Sequence, residues 1–506
     1  MKKDTSLFEL IHSLTPSEKG YFKKYCSGSG DGKNYLKLFD LISVQQDYDE
    51  EKLKKKSGIR MPAQFSAEKS YLFHLILEAL GTYSRSSNEQ FEMQHDLGKA
   101  KLLFERSFYE QAMRLAEKVV RFAEGTENFT MLVDALNLET LIWQFLPAHE
   151  RKKLETLMEE KERAIINLQK TEQARKINAE MLLMFQTIGL ARSETQMELY
   201  HSLARKAEDA ANASADFLPV TARVYLCNCL SYYHNILGNL DKSLEYMKAL
   251  IRFIDENPGI LPSSLTFYIS SVNNLVLLYL YQKMDKEAEV TIRKLDDINS
   301  PSIRDSNAIF ICRHNTRFEL YEKRSDLASA YDLSRGLREE IKKFSTRLST
   351  QYTGHLIYYA FRACFYTGHL KDALHWINML VHEAASPAKS EILAIARISE
   401  MILHYEMKNH DSIENLAEST ERYFAKHGNL FRFEKIMLEF FKKMATLEPG
   451  KKAFETLEAE LILLLDDPLE QRIFSYFDFI SWAEGKIVKR KIGEIIKEKS
   501  LKGPLA

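Results

Sequence analysis

Apolar and polar positions along this chain repeat with a period longer than any single helix. Gly238-Asn-Leu240-Asp-Lys-Ser243 opens a stretch in which Leu244, Met247, Leu250 and Ile251 fall at the i, i+3, i+4 spacing of one helix face. The same order returns at Gln282-Lys-Met284-Asp-Lys-Glu287-Ala, at Ser325-Asp-Leu327-Ala-Ser-Ala330 and at Gly368-His-Leu370-Lys-Asp-Ala373. Each has a small or polar turn residue, an apolar residue two later and usually a small residue three after that. The turn starts 238, 282, 325 and 368 are 44, 43 and 43 residues apart. Weaker matches extend the period back to Glu194, Glu150 and Ser107 and forward to Asn409 and Gly450.

Every period holds two helical patterns. One ends at the turn (227–237, 271–281, 357–367) and one begins after it (241–254, 371–381). Helices of about 17 residues fit this period, roughly 25 Å each. One such hairpin cannot bury its apolar face alone, so neighbours must stack. A fixed period of this size is the sequence mark of a helical solenoid.

The small–x–large–x–x–small spacing across a helix hairpin resembles the tetratricopeptide (TPR) repeat, with Gly238/Leu240/Ser243 and Gly368/Leu370/Ala373 at its turn and packing positions. The resemblance covers about 90–460. It departs from the family in its period of 43–44 rather than 34, in the absence of Gly from most turns, and in Cys227, Ser271, His314 and Ile357 standing where an aromatic belongs. It implies an all-α, TPR-like right-handed α-solenoid of about nine helix hairpins. Residues 89–467 form the array, 1–88 an N-terminal helical cap and 468–506 C-terminal capping helices with a basic tail.

The ends break the period. Thr15-Pro-Ser-Glu18 reads as a capping box with proline at the first helical position. Residues 34–44 predict an amphipathic helix, Ser66 a cap for the apolar helix that follows, and Ser84–Asn88 a joint to the repeats. After Pro468, RIFSYFDFISW predicts a strongly apolar helix. A basic amphipathic helix follows, with Val488, Ile492, Ile495 and Ile496 on one side.

Composition agrees with long helices, since Gly numbers 19 and Pro 11 in 506 residues, both well below ordinary usage. The net charge of −1 supplies no global field toward nucleic acid or membranes. Five cysteines are too few for a disulfide framework. The opening MKKDTSLFELIHSL lacks the unbroken apolar run of a secretory leader, and no run of about 18 apolar residues occurs. The expected setting is cytoplasmic.

Catalytic chemistry finds no motif. Ser27-Gly-Ser-Gly-Asp-Gly-Lys33-Asn34 lacks the first glycine and the final hydroxyl of a phosphate loop and follows a helix, not a strand. His382-Glu383 starts a zinc-protease pattern, but Ser386 stands where the second ligand belongs. Cys227 and Cys229 lie roughly 200° apart around a helix, and read as core thiols. His314, His369, His375, His404 and His410 show no ligand spacing. The expectation is a non-enzymatic chain with no metal and no cofactor.

Binding chemistry is better represented. On the leading helices, Asn228, Tyr232 and Asn235 share one face, as do Asn315, Glu319 and Glu322, and Tyr358, Arg362 and Phe365. In a TPR-like array these faces line the concave groove, where Asn, Tyr and Arg hold a peptide backbone or carboxylate. Asn228, Tyr232, Asn235, Asn315, Glu319, Tyr358 and Arg362 are therefore the candidate groove residues for a protein or peptide partner. Nucleic acid is the alternative partner. Lys52-Leu-Lys-Lys-Lys before a second helix has a faint helix-turn-helix spacing, which would make the chain a ligand-responsive regulator. Residues 1–80 hold only 13 basic against 11 acidic side chains, and 71–80 is too apolar for a DNA groove. The basic tail, with seven Lys/Arg against two Glu over 486–506, reads as a terminal cap ahead of a membrane or nucleic-acid contact.

Overall fold

The computed structural model describes residues 5–27, 33–58, 61–146, 151–213, 218–300, 302–344, 350–383, 391–428, 430–444 and 450–502. All regular structure among them is helical, with no strand. The loop Ser27–Lys33 lies mostly outside the described residues, as do Glu150 and Ser386. The chain forms two compact units, Met1–Leu168 and Gln169–Ala506.

The first unit holds α1 (Ser6–Ser13), α2 (Pro16–Ser27), α3 (Lys33–Ser43), α4 (Glu50–Ser57), α5 (Pro62–Ser87), α6 (Glu89–Glu105), α7 (Tyr109–Gly125), α8 (Phe129–Trp143) and the start of α9 (Arg151–Ile188). The capping box forms as expected: the Thr15 amide donates to Glu18 Oε2 at 2.7 Å, and the Glu18 amide donates to Thr15 Oγ1 at 3.2 Å. α5 starts a turn earlier than Ser66 because Pro62 sits at its first position behind Met61, so Ser66 lies inside the helix. It also continues through Ser84, and the joint narrows to Asn88, whose side chain accepts from the Gln90 amide. Phe65, Leu72 and Ile76 of α5 are buried with Ile11, Phe22 and Phe39. This helix is spent on its own core.

The second unit continues α9 and adds α10 (Glu194–Asn212), α11 (Val220–Ile236), α12 (Leu240–Glu256), α13 (Leu261–Tyr281), α14 (Asp285–Asp297), α15 (Ile303–Lys323), α16 (Leu327–Phe344) and α17 (Thr350–Tyr366). It ends with α18 (Leu370–Asn378), α19 (Glu391–Glu406), α20 (His410–His427), α21 (Arg432–Met444), α22 (Lys451–Leu463), α23 (Phe479–Val488) and α24 (Ile492–Lys502).

Its hairpins share one turn. Gly238, Lys283, Ser325, Gly368 and Lys408 all have positive φ, and each ends a leading helix. The next amide reaches back five residues, as from Asn239 to His234 O and from His369 to Cys364 O, both at 2.9 Å, which closes a Schellman cap. Four residues on, Ser243, Ala288, Ala330 and Ala373 are completely buried, so the small positions of the repeat lie where two helices meet. Leading helices also pack on one another in order, α13 on α15, α15 on α17 and α17 on α19.

The C-terminal region departs from the expected helices. Residues 471–475 form a 3₁₀ turn, Tyr476–Asp478 are irregular, and α23 starts only at Phe479, where Asp478 caps it by accepting from the Ser481 amide at 2.8 Å. The basic helix is interrupted as well. Lys489 takes positive φ and closes α23, leaving Val488 half-exposed while Ile492 and Ile495 are buried. Among the described residues, three of the tail's seven basic side chains are paired, Lys486 with Glu406, Arg490 with Glu494 and Glu498, and Lys499 with Glu484.

Candidate functional site

The residue pattern marked the leading-helix faces, and in the second unit the α17 face meets the segment Glu470–Asp478. Arg362, on α17, is buried between Glu319 and Glu322 of α15. Glu322 accepts from its Nε at 3.3 Å and from Nη2, and Glu319 lies 3.6 Å away. The remaining terminal nitrogen points at backbone: Nη1 donates to the carbonyl oxygens of Tyr476 at 2.8 Å and Ser475 at 3.4 Å. One turn on, Tyr366 Oη accepts from the Asp478 amide at 3.2 Å. Phe477 fills the space between them, with its ring 5.5 Å from Phe365 and 5.4 Å from Tyr366.

Upstream, the same segment is fixed by a second buried arginine. Arg192 donates to both Glu434 and Glu470 and lies 4.5 Å over the Phe431 ring. Glu470 also takes the first amides of α21, Arg432 at 2.9 Å and Phe433 at 3.3 Å, where the helix dipole favours a carboxylate. Glu391, at the start of α19, accepts from the Leu190 amide at 3.0 Å and from Tyr476 Oη at 2.9 Å. Its seat requires Gly189. That residue has φ +76°, and a Cβ there would come 2.1 Å from Glu391 Oε2.

Carboxylates gather in this region: Arg192 and Arg362 pair with four of them, Lys323 adds a 3.8 Å contact to Glu319, and Glu391 is a fifth. Burial pushes Glu391 up to about 7 despite its two donors, and pushes Glu322 up to about 7 against the pull of Arg362. Arg362 is held well above its usual value, since Glu322 and the neighbouring acidic groups outweigh its own desolvation.

Of the seven groove candidates, the structure brings Glu319 and Arg362 into one cluster. Tyr358 lies one turn before Arg362, buried, and bonds Ser399 Oγ at 2.7 Å. Asn228 is buried, donating to Asn178 Oδ1 at 2.7 Å, and Tyr232 Oη accepts from Asn274 at 3.2 Å. Asn235 is half-buried at the end of α11, where its carbonyl accepts the Gly238 amide. Asn315 is half-buried, and its Oδ1 has no partner among the described residues. Four of the seven, Asn228, Glu319, Tyr358 and Arg362, are thus closed off by this chain's own atoms. The more open part of the same α17 face is His355, exposed, and Tyr359, half-buried under the Arg362 guanidinium at 4.7 Å.

Catalytic groups are scarce here. All five cysteines are reduced; burial lifts Cys229, Cys312 and Cys364 to about 12 and Cys227 to about 11, so none offers a thiolate at neutral pH. Sequence reasoning missed one pair. His382, 54% exposed on a π-helical turn, meets the 2% exposed Glu400 at 2.7 Å. The i, i+4 spacing of Glu400 and His404 was the available signal. Among the described residues no group of three His, Cys, Asp or Glu is placed to hold a metal ion. At the other end of the chain, Lys54 pairs with Glu50 at 3.0 Å and Glu51 at 3.2 Å, and Lys52 lies 3.6 Å from Asp49. No helix of the described residues is long and apolar enough to cross a membrane.

Compared with known proteins, the chain significantly matches no protein-family model, no curated protein and no solved structure.

Proposed function

We propose that this chain is a non-enzymatic protein-interaction scaffold, a TPR-like right-handed solenoid whose concave leading-helix faces hold a peptide or partner protein. One observation carries the reading. Arg362 and Tyr366, on successive turns of α17, bond the main chain of Ser475, Tyr476 and Asp478, at and just beyond the end of a 3₁₀ turn, and such contacts hold backbone irrespective of side chains. In this state the occupant is the chain's own segment. A partner is taken up along the more open continuation of the face at Tyr359 and His355, or in exchange for that segment. The DNA-binding alternative has less in its favour, because Lys52 and Lys54 pair with carboxylates and Phe65, Leu72 and Ile76 commit one face of α5 to its own core.

The test is site-specific photo-crosslinking in the native cell. A photoreactive residue at His355 should yield a discrete adduct with a partner protein. One at exposed Val290 of α14 should not. Identical adduct patterns, or none at either position, would count against the scaffold.

A further inference from the structure

α15 carries a second feature, separate from the Arg362 cluster. A cleft of about 790 Å³ opens between α15, the turn Ile298–Ser300 and α16, a volume within the range of small-molecule sites. Arg313 and Arg317 stand in it one helical turn apart, on one face. Both engage a single carboxylate: Arg317 Nη2 reaches the two oxygens of Asp296 at 2.9 and 3.0 Å, and Arg313 Nε lies 3.3 Å from it. Arg313 Nη2 also caps the end of α14, donating to the carbonyls of Asp296, of Ile298 at 3.2 Å and of Leu295 at 3.4 Å. The other N–H groups, on Nη1 of Arg313 and on Nε and Nη1 of Arg317, have no partner among the described residues. Two cations therefore face Asp296 with hydrogen-bonding capacity left over, and Glu340 lines the same cleft as a second carboxylate.

One wall around this charge is apolar, built from Phe310, Leu333 and Ile298 with the Tyr321 ring beside them, while Asn299, Ser306 and Glu340 give the cleft a polar side. The turn is held before any ligand arrives, because Ser300 Oγ donates to Asp305 at 2.9 Å and Ser306 Oγ to the Ser300 carbonyl at 3.2 Å. A site fixed in this way does not spend binding energy on ordering itself.

We propose that this cleft binds a small amphipathic anion, a carboxylate or phosphate ester whose charged group pairs with Arg313 and Arg317 and whose apolar body lies against Phe310 and Leu333. The proposal stands apart from the scaffold reading and survives its failure. His314 gives the site a proton linkage. Its Nδ1 faces the Phe310 carbonyl at 2.8 Å and its Nε2 faces Glu340 at 3.3 Å, so both nitrogens meet acceptors and only the imidazolium satisfies both. Burial opposes that charge, as do Arg313 and Arg317; Glu340 favours it. An anion set against the two arginines reduces their repulsion and favours proton uptake.

The experiment is calorimetric titration of the full chain with phenyl phosphate and with phenylacetate. Inorganic phosphate and benzyl alcohol serve as charge-only and body-only controls. At least one aryl anion should bind saturably with Kd below about 1 mM and more tightly at pH 6 than at pH 8; the better of the two identifies the source of the charge. Arg317→Gln should weaken binding at least tenfold, roughly the loss of one charged hydrogen-bonding partner. Glu340→Gln, at a 46% exposed position that tolerates change, should strengthen it. Four results would overturn the proposal: no saturation of either aryl anion by about 10 mM, affinity unmoved by Glu340→Gln, affinity unmoved in a folded Arg317→Gln chain, or the better aryl anion binding no more tightly than inorganic phosphate and benzyl alcohol.

Discussion

The guanidinium of Arg362 donates to the main-chain carbonyl of Tyr476 across 114 residues of sequence, at 2.8 Å and in the interior of the second unit. That bond ties α17 to a segment far along the chain. It also leaves Glu322 dependent on that cation, while Glu319 is shared between it and Lys323. Replacing Arg362 by Met should therefore cost about 3–5 kcal/mol, since the Glu322 carboxylate and a buried carbonyl lose their partner together. Chemical denaturation should register the loss, and limited proteolysis should open new cleavage within residues 471–478 before global unfolding.

Acids that are buried without adequate cations set the pH dependence. Glu139 in the first unit is the simplest case. It is buried, its Oε1 has no partner among the described residues, and burial with the nearby Glu117 pushes it up to about 7. A folded-state value above the unfolded one means that stability is full below about pH 4.5 and is lost as pH rises toward 7. Glu139→Gln should raise the melting temperature of that unit at pH 8, by about 2 kcal/mol in stability, and leave it nearly unchanged at pH 4.5. Glu391 and Glu322 act in the same direction in the second unit, so wild-type melting temperature should fall between pH 5 and pH 8.

The hairpin turns make a local prediction. Lys408 holds φ +61° at a position where Gly368 holds φ +80° in the preceding hairpin. A left-handed conformation costs a side-chain-bearing residue about 1 kcal/mol. Lys408→Gly should stabilise by a few tenths to 1 kcal/mol, and Gly368→Ala should destabilise by about 1 kcal/mol or more. Thermal unfolding of the two variants checks both signs.

Much of the local architecture was legible in the residues. Gly238, Ser325 and Gly368 mark turns because a Schellman cap needs a left-handed residue there, and Ser243, Ala330 and Ala373 mark close helix contact because nothing larger fits. Thr15 and Glu18 announce their capping box by type and spacing alone. The segment Arg472–Trp482 was misread, and the reason is physical. Its aromatic density looks like a buried helix, but Phe477 is buried against α17 residues more than 100 positions away, and Asp478 prefers to cap the next helix. A groove face and a core face also carry the same residue types. Asn228 and Tyr358 are polar because they bond buried neighbours, Asn178 and Ser399, a distinction that spacing cannot make. The ligand-facing chemistry of Arg313 and Arg317 was missed for the opposite reason: an i, i+4 pair of arginines on a charged helix is unremarkable until Asp296 and the cleft are seen beside it.

The central claim is that the α17 face recognises the main chain of a docked segment, and trans-complementation tests it most directly. A chain whose residues 471–478 are replaced by a Gly/Ser linker of equal length should bind a synthetic peptide spanning Glu470–Phe479 saturably. Arg362→Gln in that chain should remove the binding. Absence of peptide binding by a linker variant whose circular dichroism matches the wild type would contradict the account.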